Sequence, residues 1–333
     1  MTTEGKGITQ GTNQGIKILD IAYPRLRAPD LDVVEEFFIE FGMVRAVRTD
    51  TALYMRGTGP AHHLHITEKG EPGFVSMAYY ARSAADLETI ARHPDAISGV
   101  EDIDEPGGGK RVLLKEPSNG FVIEIVFGIE TVPELPIVYR TPRYNEEVMK
   151  TIGNLTRLQL GPAHIRRISH GVFATPILRP TITWFRDTLG LLCTDEFYVD
   201  SPDNTVGTFY RLDRGDDPVD HHVINCYYNK TAGFQHASFV VENVEDLMIG
   251  HTHLMSLNRY THMRGVGYHP PGGQIFDYWL NPAGQMHELY VPTQRFTASD
   301  PSNFMPFPGK TAINRTNAFA DNITEPVDVD YHD

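Results

Sequence analysis

Cysteine is nearly absent from this chain: Cys193 and Cys226 are the whole supply among 333 residues. Two thiols cannot build a disulfide framework or a multi-thiolate zinc site, so the pattern fits a reducing compartment. Long apolar runs are missing as well. No stretch approaches the roughly 18 consecutive apolar residues that a helical membrane span needs. The N-terminal MTTEGKGITQGTNQG is polar and Gly-rich, without the basic start and apolar centre of a secretion signal. The expected setting is therefore cytoplasmic, with no membrane partner. Basic residues are in deficit too: 29 Lys and Arg stand against 43 Asp and Glu, a net charge of −14. Duplex binding draws on cationic side chains that neutralise phosphates, so no nucleic-acid partner is expected.

What is present is a soluble-type composition, 41% apolar, with length enough for two ordinary domains. Fifteen histidines cluster at 62 to 65, 164 to 170, 221 to 222, 236 and 251 to 269. Compared with itself, the chain repeats. IAYPRLRAPD (Ile21 to Asp30) resembles ISHGVFATPI (Ile168 to Ile177), and each leads into a helix-like segment, Asp32 to Gly42 and Ile182 to Gly190, that stops at a C′-type glycine. AHHLHI (Ala61 to Ile66) parallels DHHVIN (Asp220 to Asn225), and Gly73 to Leu87 parallels Gly233 to Leu247 without a gap. EPSNGFVIEIVFG (Glu116 to Gly128) parallels NPAGQMHELYVP (Asn281 to Pro292). A further helix is expected in VENVEDLMIGHTHLMSLN, with Val244, Leu247, Met248 and Leu254 as a partial apolar stripe.

Helices confined to one side of mostly antiparallel strands make an α+β class. The divisions read as a flexible N-terminus at 1–15, a first domain at 16–130, a Pro-containing connector at 131–162, a second domain at 163–293 and a polar tail at 294–333 with an acidic, mobile end. Within the second domain, QIFDYWL and QMHELYV flank an Asn-Pro-Ala-Gly turn and form a β-hairpin. On its second strand Met286, Glu288 and Tyr290 share one face, opposite Gln285, His287 and Leu289. A carboxylate between Met and Tyr on an apolar-looking face is costly to bury unpaired, and a metal ion is the obvious counter-charge.

The halves differ at ligand-type positions. Tyr23 becomes His170, Ser76 becomes His236, and Glu124 matches Glu288. Two histidines and one carboxylate with open coordination positions are the arrangement of a non-haem Fe(II) oxygen-activating site, so only the second half is expected to hold metal, with Mn(II) accepted by the same donors. The HHLH at 62–65 reads as a solvated or packed strand in which His63 and His65 share a face, and the GGGK at Gly107 to Lys110 as a hairpin loop.

With these residues in place, the chain resembles the extradiol ring-cleavage dioxygenases (of the catechol and 2,3-dihydroxybiphenyl type) of the vicinal oxygen chelate superfamily, over roughly residues 16–293. His269, Tyr278, Asn281, Pro282, Gly284 and Glu288 match that family's signature; Asp277 departs from it, at a position usually apolar. The resemblance implies four βαβββ modules paired into two similar domains, each an open mixed, barrel-like sheet with helices outside. It implies iron ligands His170, His236 and Glu288, and substrate- or oxygen-contacting roles for His269 and Tyr278. An acid/base histidine falls at His221, with adjacent His222 on the other face. The implied reaction is ring cleavage of a catecholic substrate by O₂ in aromatic compound catabolism, by a homo-oligomer. A glyoxalase-like metal-dependent isomerase or lyase, and a non-enzymatic protein that binds a small aromatic or drug, are the rival expectations.

Overall fold

The structure is a computed structural model that describes residues 15–137, 160–307 and 315–316. Most of the expected connector and the acidic end of the tail lie outside the described residues.

The first half runs β1 (Asp20–Ala28), α1 (Leu31–Phe41), β2 (Val44–Arg48), β3 (Ala52–Arg56), β4 (His65–Lys69), then β5 (Gly73–Tyr80), α2 (Ala84–Ile90), β6 (Glu101–Asp102), β7 (Lys110–Lys115) and β8 (Val122–Phe127). Its strands lie in the order β2-β3-β4-β1-β5-β8-β7-β6. The second half repeats the plan: β9 (Ile165–Thr175), α3 (Leu178–Leu189), β10 (Leu192–Tyr198), β11 (Thr205–Arg211), the short β12 (Val219–Asp220) and β13 (Ile224–Tyr228), then β14 (Gly233–Val241), α4 (Val244–Leu257), β15 (Thr261–His269), β16 (Gln274–Leu280) and β17 (Met286–Val291). Three short strands follow, β18 (Arg295–Phe296), β19 (Asn303–Pro306) and β20 (Arg315–Thr316). In each half a parallel pair, β1 with β4 and β5 with β8, or β9 with β13 and β14 with β17, closes one βαβββ unit. The two units meet antiparallel at β1 with β5 and at β9 with β14. The α+β class and the four modules are thus present.

Local chemistry explains the helices. In α1, Asp30 caps the amides of Asp32 and Val33, and Leu31, Val34, Phe37, Phe38 and Phe41 are buried at helical spacing. Gly42 ends it in the left-handed region, φ 119°, and a Cβ there would stand 2.5 Å from the Ala163 carbonyl oxygen. Glycine is required twice over. α3 begins at Leu178, four residues ahead of the expected start, because Pro180 is tolerated in a first turn and Thr181 bonds back to the Ile177 carbonyl. In α4 the buried residues include Leu247, Ile249 and Leu254, whereas Val244 and Met248 are exposed. The expected stripe was therefore half right: Leu247 and Leu254 face the core, while Val244 and Met248 face solvent.

The helices cover the outer faces of the sheets and, in doing so, join the halves. Phe37, Phe38 and Phe41 of α1 pack on His287 of β17, and one apolar core contains residues of both halves. The polar tail contributes strands: β18 pairs with β12, β19 extends the second sheet beside β10, and β20 pairs with β15.

Candidate metal centre

Three adjacent strands of the second sheet, β9, β14 and β17, bring the expected ligands together. Ser238 of β14 is in register with His170 on one side and with Glu288 on the other, and His236 lies two residues before it on the same face. A small side chain in the middle of that row lets its neighbours converge: His170 Nε2 is 3.1 Å and His236 Nε2 3.4 Å from the same oxygen, Glu288 Oε2. All three residues are buried. Burial acts to raise the Glu288 pKa, yet the two imidazoles outweigh it and hold the carboxyl well below its usual range. Burial lowers that of His236, keeping the ring neutral with a lone pair to offer.

The donors fit a divalent cation. Glu288 Oε1 and Oε2 and His236 Nε2 are buried and lack a well-formed hydrogen bond, although fully buried polar atoms ordinarily have one. Two imidazoles and one carboxylate converging on one point, with their ligand atoms within 4.8 Å of one another, answer that demand. On their outer sides the imidazoles are oriented by neighbours, His170 Nδ1 by Ser169 Oγ at 3.2 Å and His236 Nδ1 by the Gln235 side-chain oxygen.

Around this point stand the other expected residues. Tyr278 is in register with Glu288 across β16 and β17, in mid-strand. Its hydroxyl is 3.0 Å from His269 Nε2, at the end of β15. Burial, with the Glu288 carboxylate second, raises the phenol well above its ordinary pKa. Arg264, which sequence reasoning missed, lies with its guanidinium 4.7 Å from the centre of the Tyr278 ring. Of the paired histidines, His222 is the one packed on the centre, its ring 4.0 Å from that of His170. Burial and then the His170 imidazole push His222 well below the usual histidine range. His221 points away, Nε2 3.0 Å from Asp195 Oδ2 and Nδ1 3.1 Å from His222 Nδ1. The structure thus sets His222, rather than His221, beside the candidate ligands. Residues 221–223 precede β13 and are not in regular strand, so strand alternation did not apply to them.

With the geometry in place the chain can be compared with known proteins. It is 27% identical over 284 residues to metapyrocatechase 2 of Cupriavidus necator, a match covering 83% of each chain. Its backbone matches the homoprotocatechuate 2,3-dioxygenase of Brevibacterium fuscum, in complex with 3,4-dihydroxyphenylacetate, with TM-score 0.75 at 17% identity, over 92% of this chain and 91% of that one. The chain has the extradiol-dioxygenase fold. That fold is shared with the Mn(II)-bound glyoxalase of Novosphingobium aromaticivorans, matched at TM-score 0.74 and 17% identity over 90% of both chains. No family model matches.

In the first half of this extradiol-dioxygenase fold, the equivalent row is Tyr23, Ala78 and Glu124, with Ser76 in place of His236. Tyr23 and Ser76 both donate to the Glu124 carboxylate. Arg25 holds the position of Val172 and sends its guanidinium to Glu124, at 3.0 Å, and also to Glu68 and Glu105. An organic cation thus occupies the carboxylate that the repeat retained. His62, His63 and His65 are buried, but His63 packs on Tyr23 whereas His65 packs on Phe38 of α1. They turn to opposite faces, contrary to the alternation expected, because regular strand begins only at His65. The GGGK segment is a hairpin loop between β6 and β7, with Gly107, Gly108 and Gly109 all at positive φ.

Proposed function

We propose that the protein is an extradiol dioxygenase that cleaves a catecholic aromatic ring with O₂ at a mononuclear non-haem metal centre held by His170, His236 and Glu288. The observation that carries this reading is the convergence of both imidazoles on one Glu288 oxygen beside the Tyr278–His269 pair. The 27% identity to metapyrocatechase 2 supports it. In the overall reaction, one ring carbon–carbon bond beside the hydroxyls breaks and both oxygen atoms of O₂ enter the product.

An ion held by His170, His236 and Glu288, Fe(II) with Mn(II) as substitute, would supply Lewis-acid and redox chemistry. The chain's own residues manage protons and orientation. With Asp195 accepting from His221 Nε2 and His221 Nδ1 accepting from His222 Nδ1, His222 Nε2 is left as a lone-pair acceptor on the side of the metal. That tautomer is the one a general base needs, and Asp195 and His221 act as positioning residues for it. Tyr278, its proton held by burial, donates to a substrate oxygen, and His269 orients the phenol. The cytoplasm and a homo-oligomeric state complete the proposal.

The near-equal likeness to a Mn(II)-bound glyoxalase keeps a metal-dependent isomerase as the second reading. A panel of monocyclic, bicyclic and substituted catechols, mixed in air with Fe(II)-loaded protein, separates the two. Oxygen uptake with a yellow ring-fission product is expected; no uptake across the panel, with isomerisation of a glyoxalase substrate instead, overturns the dioxygenase reading.

A further inference from the structure

Asp277, the departure from the family signature, lies on the face of β16 opposite Tyr278 and is completely buried. A buried carboxylate demands cationic partners. Its partners are two imidazoles: His262 Nε2 from β15 at 2.8 Å on Oδ1, and His251 Nδ1 from α4 at 3.1 Å on Oδ2. The Trp279 indole N–H donates to Oδ2 at 2.6 Å. Burial opposes ionisation of Asp277, but the bonds from His251 and His262 prevail and hold it below the usual carboxylate range. Room for this carboxylate is built into β15. Gly265 lies against it at φ 130°, and a Cβ there would stand 2.6 Å from Asp277 Oδ1.

We propose that His251, His262 and Asp277 form a second metal site, structural rather than catalytic, which takes Zn(II). Their ligand atoms lie within 4.8 Å of one another, and for bonds of about 2.0–2.2 Å to one ion the N···O separations of 2.8 and 3.1 Å need only widen slightly. The donor set, two imidazole nitrogens and one carboxylate oxygen, suits a borderline divalent ion. The indole N–H already supplies the outer hydrogen bond that orients a ligating carboxylate. Both histidine side chains are about one-fifth exposed, at 20% and 22%, so the ion has an entry path and water a fourth position. A zinc ion there ties α4 to β15 and β16, the two strands that carry His269 and Tyr278 to the catalytic centre.

The test uses full-length protein and Zn(II) alone. Wild-type protein is expected to bind two equivalents, the H170A/E288A variant one, and the H251Q/H262Q variant one. Zn(II) should raise the melting temperature of H170A/E288A but not of a variant that also carries H251Q and H262Q. Wild-type crystals soaked in Zn(II) should show an anomalous peak among the three side chains, a readout independent of whether any variant folds. A single equivalent in wild type, unchanged by H251Q/H262Q, or no anomalous peak beside Asp277, overturns the proposal and leaves a metal-free His–Asp–His ion pair.

Discussion

Arg25 and Val172 stand at the same position of matching strands: Arg25 is in register with Ser76, Val172 with His236. This exchange accompanies those of Tyr23 for His170 and Ser76 for His236. Where the apolar side chain leaves space, a carboxylate and two imidazoles converge; where the guanidinium fills it, the same carboxylate is neutralised by protein.

Arg25 and Glu124 are both nearly inaccessible, at 5% and 2% side-chain exposure. Removing one member of such a pair leaves a buried charge, with a cost of about 3–5 kcal/mol. R25A is therefore expected to lower the urea midpoint sharply, and R25V/E124L to recover much of the loss. Equal midpoints for R25A and wild type would show that the pair contributes nothing.

His63, buried against Tyr23 and Tyr54, is pushed down to about 3 by burial, with His62 and Arg25 adding to it. Unfolded, it titrates near 6.5. Between those values the unfolded chain binds the extra proton, so stability falls as pH drops from about 6.5 toward 3. Urea midpoints measured across that window should fall less steeply for H63Q than for wild type. Parallel slopes would contradict the assignment.

H222Q is expected to retain its metal, measured by elemental analysis, while kcat falls by roughly 10²–10⁴, the usual worth of a general base. D195N, which breaks only the chain of tautomers, should lower kcat less and leave KM nearly unchanged. If D195N and H222Q both match wild type, proton transfer runs elsewhere.

Y278F removes the hydroxyl that faces His269 and the Glu288 carboxylate and leaves all three ligand residues in place. A hydrogen bond to a charged group contributes about 1.5–3 kcal/mol, so a loss of roughly 10- to 100-fold in kcat/KM is expected at unchanged metal content. A variant that loses its metal instead would make Tyr278 a structural support of the centre.

Much of this was legible in the sequence because duplication supplies its own control. His170 against Tyr23 and His236 against Ser76 stood out as differences at matched positions, and the period of two put Glu288 on the face opposite His287. Arg25 against Val172 is equally present in the repeat, but neither is a metal-ligating type, so a comparison of ligand-type positions passes over it. The choice between His221 and His222 was not readable, since alternation holds only in extended strand and residues 221–223 are irregular. Asp277 was visible as a departure, but its partner His251 sits on a helix, and no periodicity links a helix face to a strand. The start of α3 was lost to Pro180, which reads as a breaker yet fits a first turn.

The central claim is that His170, His236 and Glu288 hold one ion at which O₂ meets a catechol. Oxygen consumption by Fe(II)-loaded protein tests it most directly, measured against the catechol consumed, in wild type and in H170A/E288A side by side. One O₂ per ring opened is expected in wild type, and no consumption above background in the variant. Undiminished uptake after both ligands are removed would contradict the account.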